Sequence, residues 1–364
     1  MARANPVLLN DILKLGAFDV TACFSCGVCT ATCPLVEEGG EFPRRLIRYA
    51  MLGLEDKLLG SPELWACYYC GECTRSCPRQ ADPGGFMMAA RRFAITKYSI
   101  GKIGKVFYDK IYGSIALAIL SLIMALGIWW LHNPLPGGKV DLFKFLDENY
   151  IHEGGLVLGV YVGVVALANI VIMLRYLFKS GGIPRASIGS WVKGFIDTLF
   201  AEVLWQGRYN KCDSKGRFIS HMGIFWGFVL LMIATTIDYV TGARQLSAMV
   251  LGAIGGVLIT VGGGYFIWIR LAKKDEYSTY SDFVDWMFIW LVFLAGITGF
   301  LIDLFAYYNL QLTTYITFAI HLIVVFDLIV TAPFTKFAHA GYRPLAVWIY
   351  KVARKPQGET TTAV

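Results

Sequence analysis

The sequence predicts an all-α protein in two parts: a small helical, cysteine-rich domain over residues 1–105, and a membrane domain of six helical spans over residues 106–364. Three observations predict it. Eight of the 9 cysteines lie between Cys23 and Cys77. Long apolar runs separated by short polar segments begin at Tyr112. The whole chain of 364 residues is 56% hydrophobic and only 16% charged, with a mean hydropathy of +0.55. That is far more apolar than an ordinary soluble protein, and helices sheathed in lipid explain it.

The opening "MARANPVLLNDILKLGAF" reads as a short amphipathic helix interrupted by Asp11, not as an export signal. The N-terminus is therefore expected on the cytoplasmic side. A net charge of +7 is modest, and the basic residues are spread along expected membrane edges. Lipid explains them, so nucleic acid is not expected as a partner.

Two cysteine runs follow, "CFSCGVCTATCP" and "CYYCGECTRSCP". Each has the spacing C-x2-C-x2-C-x3-C-P of bacterial iron–sulfur proteins. Three thiolates on a tight loop converge on three corners of a cubane, and Gly27 and Gly71 let the backbone approach it. The fourth cysteine of each run is expected to open the next helix and point away. In two-cluster ferredoxins it ligates the other cluster. One [4Fe–4S] cluster is thus assigned to Cys23, Cys26, Cys29 and Cys77, and a second to Cys67, Cys70, Cys73 and Cys33. Zinc is the alternative occupant, but it favours paired C-x2-C knuckles over four-cysteine runs. A disulfide scaffold would need an oxidising compartment, for which no export signal argues. Between and after the runs, "EFPRRLIRYAMLGLEDKLLGSPELW" and "GGFMMAARRFAITKY" read as helical, with Ser61-Pro62 as a helix start. The result is an α-helical ferredoxin-like domain.

The spans are predicted at about 112–131, 155–178, 218–238, 247–271, 284–304 and 315–338. Segment 179–217 carries seven Lys or Arg and segment 335–364 five, whereas 305–314 carries none. With these segments inside, the positive-inside pattern puts both termini in the cytoplasm of a multi-pass inner-membrane protein. "SWVKGFIDTLFAEVLW" looks amphipathic, and either lies along the membrane surface or packs on the cluster domain. Gly159/Gly163 and Gly252/Gly256, each pair four apart, read as helix-packing contacts.

Five histidines remain: His132, His152, His221, His321 and His339. His321 lies inside the sixth span and His339 is expected to close it. Eighteen residues are five turns of helix, so both rings would face one way, roughly 27 Å apart. That arrangement suits two b-type haems at two depths. His221, at the inner start of the third span, is the expected partner of His339, with Arg217 and Arg343 near the propionates. His321 requires an outer partner, for which His152 is preferred to His132. Asp238 and Asp303, near outer span ends, are candidates for taking a quinol's protons, although simple solvation there explains them too. Cys212 is a lone thiol.

In this order, "CFSCGVCTATCP", "CYYCGECTRSCPRQADP" and "RFISHMGIFWGF" make the chain resemble the membrane subunit of the quinone-interacting membrane-bound oxidoreductase complexes of sulfur-metabolising prokaryotes. That family fuses a domain like the C component of heterodisulfide reductase to a cytochrome b domain like the same enzyme's E component. The second half is also similar to the gamma subunit of respiratory nitrate reductase. His321 and His339 keep the 18-residue spacing found there, whereas Leu231 stands ten residues after His221, where the nitrate reductase protein has a haem ligand. The resemblance implies menaquinone or menaquinol as substrate. It also implies two soluble flavin and iron–sulfur partner subunits like the A component of heterodisulfide reductase, and electron delivery toward adenylylsulfate reductase in sulfate respiration. Alternatives are a membrane subunit of a heterodisulfide or sulfite reductase system, and a membrane anchor without redox function. The chain carries no dinucleotide fingerprint, since "VGGGYF" lies within a span, so flavin belongs to partners.

Overall fold

The computed structural model describes residues 4–36, 41–181, 184–211, 214–241, 245–273 and 280–353. It is helical throughout, with no strand among the described residues. Helices α1 (Leu8–Leu13), α2 (Val28–Ala31), α3 (Arg44–Met51), α4 (Glu55–Leu59), α5 (Glu63–Ala66), α6 (Glu72–Arg75) and α7 (Pro83–Tyr98) are followed by α8 (Gly104–Phe107). Then come α9 (Lys110–Leu131), α10 (Leu142–Phe145), α11 (Glu148–Gly181), α12 (Ile188–Asp197), α13 (Lys215–Thr241) and α14 (Leu246–Leu271). The last three are α15 (Phe283–Tyr307), α16 (Gln311–Thr331) and α17 (His339–Ala353). Six of them, α9, α11, α13, α14, α15 and α16, are long and apolar enough to cross a membrane. The protein is accordingly a multi-pass membrane protein. Cys212 lies outside the described residues.

The chain forms two compact units. The first comprises residues 1–104, 166–213 and 338–364, and the second 105–165 and 214–337. In the first, α7 is the central helix. Phe86, Met87, Phe93, Ala94 and Tyr98 are all buried, because a short domain has to cover this helix on every side. Asp82 caps its start, accepting from Gly85 N at 2.9 Å, and also accepts from Thr74 of α6 at 2.8 Å. Tyr342 of α17 packs against Trp65 at 5.3 Å and edge-on against Tyr98 at 5.4 Å. Burial of such rings contributes about 1.5–3 kcal/mol each, which ties the C-terminal helix into the cysteine-rich domain. One side of α12 packs on α17, where Trp348 Nε1 donates to Trp191 O at 2.9 Å. Its other side leaves Ile188 and Val192 exposed, and the chain continues as a π-helix over Thr198–Leu204 with Phe200 exposed.

The second unit is built around Ile259, Val284, Leu291, Val292, Val324 and Leu328. Its helices approach at glycines, but not all of the expected ones. A Cβ at Gly159, Gly163, Gly252 or Gly256 would meet open space. Close contacts include Gly227 of α13 and Gly255 of α14, where a Cβ on either would stand within 2.9 Å of the other's carbonyl oxygen, and Gly296 of α15, where a Cβ would stand 3.2 Å from Gly256 O, so the backbone of Gly256 does lie at a helix contact. A four-residue spacing marks a face of a helix, not which face is inward.

The sixth span is not one helix to residue 338. α16 ends at Thr331, a 3-10 turn covers Ala332–Phe334, and Thr335 is extended at φ −117° and ψ −167°. Pro333 has no N–H to give Ile329 O, and its ring crowds that carbonyl. His339 opens the separate helix α17. The expectation that His321 and His339 face one way along one helix is therefore corrected.

Candidate metal and electron-transfer centre

The two cysteine runs have one backbone conformation, repeated 44 residues apart. Ser25 and Tyr69 lie in the left-handed region at φ 57° and 59°. Gly27 and Gly71 follow at φ 94° and 85° and begin the one-turn helices α2 and α6. Ser25 N–H points at Cys23 Sγ and Tyr69 N–H at Cys67 Sγ, each at 3.3 Å. Ala81 N–H reaches Cys77 Sγ at 3.4 Å. The fourth cysteines do not open a new helix, contrary to the expectation from the spacing. Cys33 and Cys77 lie just past the caps of α2 and α6, because the glycine starts the helix one residue after the second cysteine. Thr32 and Ser76, equivalent in the repeat, meet at 3.0 Å where the two motifs face each other.

This pairing places the thiols around two cavities. Cys23, Cys26, Cys29 and Cys77 line one, with Phe24, Gly27 and Arg79. Cys33, Cys67, Cys70 and Cys73 line the other, with Phe42, Tyr69, Met87 and Arg208. Burial raises the Cys29 and Cys73 thiols above the usual range and pushes Cys33 up to about 12. Such thiols are poor nucleophiles by themselves, and a bound cation deprotonates them outright. Among the described residues, no group of three or more His, Cys, Asp or Glu side chains closes on a single metal ion. Two rings of four thiols with N–H groups aimed at sulfur fit iron–sulfur clusters in their donor chemistry.

Beside the second cavity lies a buried polar cluster that local sequence reasoning missed. Glu202 accepts from Tyr68 Oη at 2.5 Å and pairs with Arg208 Nε at 2.8 Å and Lys351 Nζ at 3.3 Å. Arg343 sits 3.7 Å over the Tyr68 ring, a cation–π contact. Arg91 donates to Leu64 O at 2.7 Å and to Cys67 O, fixing the loop that carries Cys67. Burial lowers its guanidinium to about 10.

His132 follows α9, His152 lies in α11, His221 in α13 and His321 in α16, and His339 opens α17. His321 Nδ1 lies 2.8 Å from Thr298 Oγ1 of α15, and that hydroxyl donates to Leu294 O at 2.5 Å. The hydroxyl proton is thereby used, so Nδ1 is the donor and Nε2 keeps its lone pair. That is the tautomer a metal-ligating imidazole needs. Gly299 makes room, since a Cβ there would stand 3.3 Å from the ring. His152 meets Tyr239 of α13 edge-on at 5.0 Å and has Glu148 at 3.8 Å. His132 packs on Phe145 at 5.5 Å. His221 belongs to α13 in the second unit and His339 to α17 in the first. His321 is thus held from behind by the kind of bond that fixes the tautomer and orientation of an imidazole.

A 4Fe-4S dicluster domain family matches residues 19–81. The family described as Citrate utilization protein B matches residues 150–360, more than half of the chain. The chain belongs to the citrate utilization protein B family. It is 28% identical over 264 residues to Citrate utilization protein B of Escherichia coli, covering 66% of each chain. Over 93 residues it is 42% identical to a heterodisulfide reductase C-like protein of Archaeoglobus profundus, covering 25% of this chain and 50% of that one. It thus spans just under two thirds and half of these relatives' lengths. No solved structure matches. The dicluster domain and the second relative point to an iron–sulfur electron-transfer role in a redox-related membrane protein.

Proposed function

We propose that this chain is the membrane electron-transfer subunit of a quinone-linked oxidoreductase complex, with a [4Fe–4S] cluster in each cysteine cavity and b-type haem in the helical bundle. The observation that carries the reading is the pair of four-thiol cavities, each taking three cysteines from one run and one from the other. Clusters and haem supply one-electron carriers, and the protein sets their positions and surroundings. Cys23, Cys26, Cys29 and Cys77 would hold one cluster, and Cys67, Cys70, Cys73 and Cys33 the other. N–H groups of Ser25, Tyr69 and Ala81 spread thiolate charge onto the backbone. Thr298 keeps His321 Nε2 free to ligate iron, and His339, His221 and His152 are the further ligand candidates. On the resemblance to the quinone-interacting complexes, menaquinol is the donor. Two soluble flavin and iron–sulfur subunits receive the electrons, and adenylylsulfate reductase is the acceptor beyond them.

Membership of the citrate utilization protein B family favours a second reading, with electrons running the other way. A soluble partner engaged in citrate utilization would reduce the clusters, and quinone would take the electrons in the membrane. Purified protein should contain about eight iron and eight acid-labile sulfide per chain, and dithionite should bring up a b-haem spectrum. A quinol that reduces both haem and clusters supports the first direction. Stoichiometric zinc without iron, or no haem, overturns the proposal. His321→Ala should lose haem while retaining all its iron–sulfur.

A further inference from the structure

Asp327 is the most enclosed acid of the spanning helices, 2% exposed within α16. Its Oδ2 lies 2.5 Å from Ser121 Oγ of α9, and its Oδ1 has no hydrogen-bond partner. Ser121 Oγ also lies 3.0 Å from Leu117 O. A serine hydroxyl has one hydrogen, and a carbonyl and a carboxylate both only accept. Both contacts are hydrogen bonds only if a proton sits on Asp327 Oδ2 and is donated to Ser121, which in turn donates to Leu117 O. An ionised Asp327 would leave one contact without a proton and an uncompensated charge on Oδ1 in a lipid-facing bundle, which is costly.

From this hydrogen-bond accounting we infer that Asp327 is a proton-binding site inside the membrane bundle, a carboxylic acid whose proton is exchanged as the electron count at His321 changes. Only the second clause rests on the reading of His321 as a haem ligand. The two residues are six apart on α16, about 9 Å along its axis. One electron, supplied by quinol, adds one negative charge on that helix. The protonated Asp327 then holds its proton more tightly; oxidation weakens that hold, and the fraction of the acid that ionises gives its proton to water and takes one back on re-reduction.

The surroundings place the site nearer one end of the bundle. The ionisable groups on the elements packed against α16 are Lys110 and Tyr112 of α9, Lys144 of α10, and Asp285, Asp303 and Tyr307 of α15. α16 itself adds Tyr315 and His321. Asp285 is the third residue of α15 and pairs with Lys336 at 2.8 Å. Asp327 is four residues from the end of α16, which runs antiparallel to α15, so it lies toward the Asp285–Lys336 end of the bundle. Asp303, near the last turn of α15, marks the opposite end.

Infrared spectroscopy of the full-length protein in mildly alkaline buffer tests the site. The wild type should show the C=O stretch of a protonated carboxyl group, shifted in heavy water. Asp327→Asn, which keeps shape and hydrogen-bonding capacity, should lose it. Ser121→Ala should move it to higher frequency, as a weaker hydrogen bond requires. Under potential control the wild-type band should change on reduction, and His321→Ala should keep the band but lose that response. A band that survives in Asp327→Asn, or no band in the wild type, overturns the site. A band indifferent to potential in protein that contains haem overturns the coupling. A band present in wild-type protein without haem supports the acid while removing the reading of His321.

Discussion

The two cysteine cavities share a backbone and differ in what covers them. Around the first, Cys26 is exposed and Phe24 is 70% exposed, with Arg79 lying over its ring at 4.1 Å. Around the second no cysteine is exposed, and Arg208, 8% exposed, closes the wall. The repeat supplies thiols, glycines and one-turn helices to both. In the wall of the second, Arg208 comes from more than 120 positions away in sequence, and Arg343 of α17 lies over the wall residue Tyr68. Local motif therefore sets which group is bound, and distant segments set its environment. The first, rimmed by the exposed Cys26 and Phe24, brings a thiol to water. The second keeps all four thiols partly buried and has a cation in its wall.

The sharpest way to break the comparison is to remove the crossed ligands. Cys77→Ser takes a thiol from the first cavity although it belongs to the second run, and Cys33→Ser does the converse. Each should cut iron from about eight toward about four per chain, since each removes one ligand of one cubane. Electron paramagnetic resonance of the remaining cluster decides the assignment. Cys77→Ser should keep the signal that Cys73→Ser loses. If these two variants lose the same signal, the cavities are not the binding units.

Much of this is legible in the sequence. The cysteine spacing carries the donor set because ligand geometry is local. The six apolar runs carry six helices because a span must satisfy its backbone internally. The break after Thr331 is signalled by Pro333, yet the helical period of His321 and His339 argues for continuity, and the proline prevails. Glu202 is not legible: its partner Tyr68 is 134 residues away, and nothing near "LFAEVLW" distinguishes a buried anion from a surface one. Arg343 lies over the ring of Tyr68, 275 positions away, a contact that no local pattern encodes. Thr298 behind His321 likewise depends on the packing of α15 on α16, which no local pattern encodes.

A smaller effect should follow from Arg208→Met. The cation at the second cavity favours the more negative, reduced state of whatever cluster is bound there, and methionine keeps the volume without the charge. The potential of the second cluster should fall by about 60 mV, the tenfold change in a one-electron equilibrium. The first cluster should hardly move. Lys351 remains beside Glu202 to limit the damage from an unpaired buried carboxylate. A redox titration followed by paramagnetic resonance measures both. Equal shifts in the two clusters would mean that Arg208 acts through the whole domain and not at one cavity.

The smallest effect is expected where the two motifs touch. Thr32 Oγ1 and Ser76 Oγ are 3.0 Å apart, and each hydroxyl also reaches back to its own helix, Thr32 to Val28 O at 3.0 Å and Ser76 to Glu72 O at 2.7 Å. Two hydroxyls have two hydrogens, and three contacts would need three. At any instant one contact goes without a proton, so the bond between the motifs exists only when one backward bond is given up. Thr32→Val therefore releases Ser76 to donate fully to Glu72 O, and Ser76→Ala does the same for Thr32. Each change should cost less than a typical net hydrogen bond, at most about 0.5 kcal/mol, because the site is exposed and the lost contact was only part-time. The double variant should cost less than the sum of the two, since either single change already removes the contact. Denaturant-induced loss of cluster absorbance in the single and double variants measures this. Strictly additive costs would mean that the hydroxyls act separately, and that the junction of the two repeats is held by α2 and α6 packing without them.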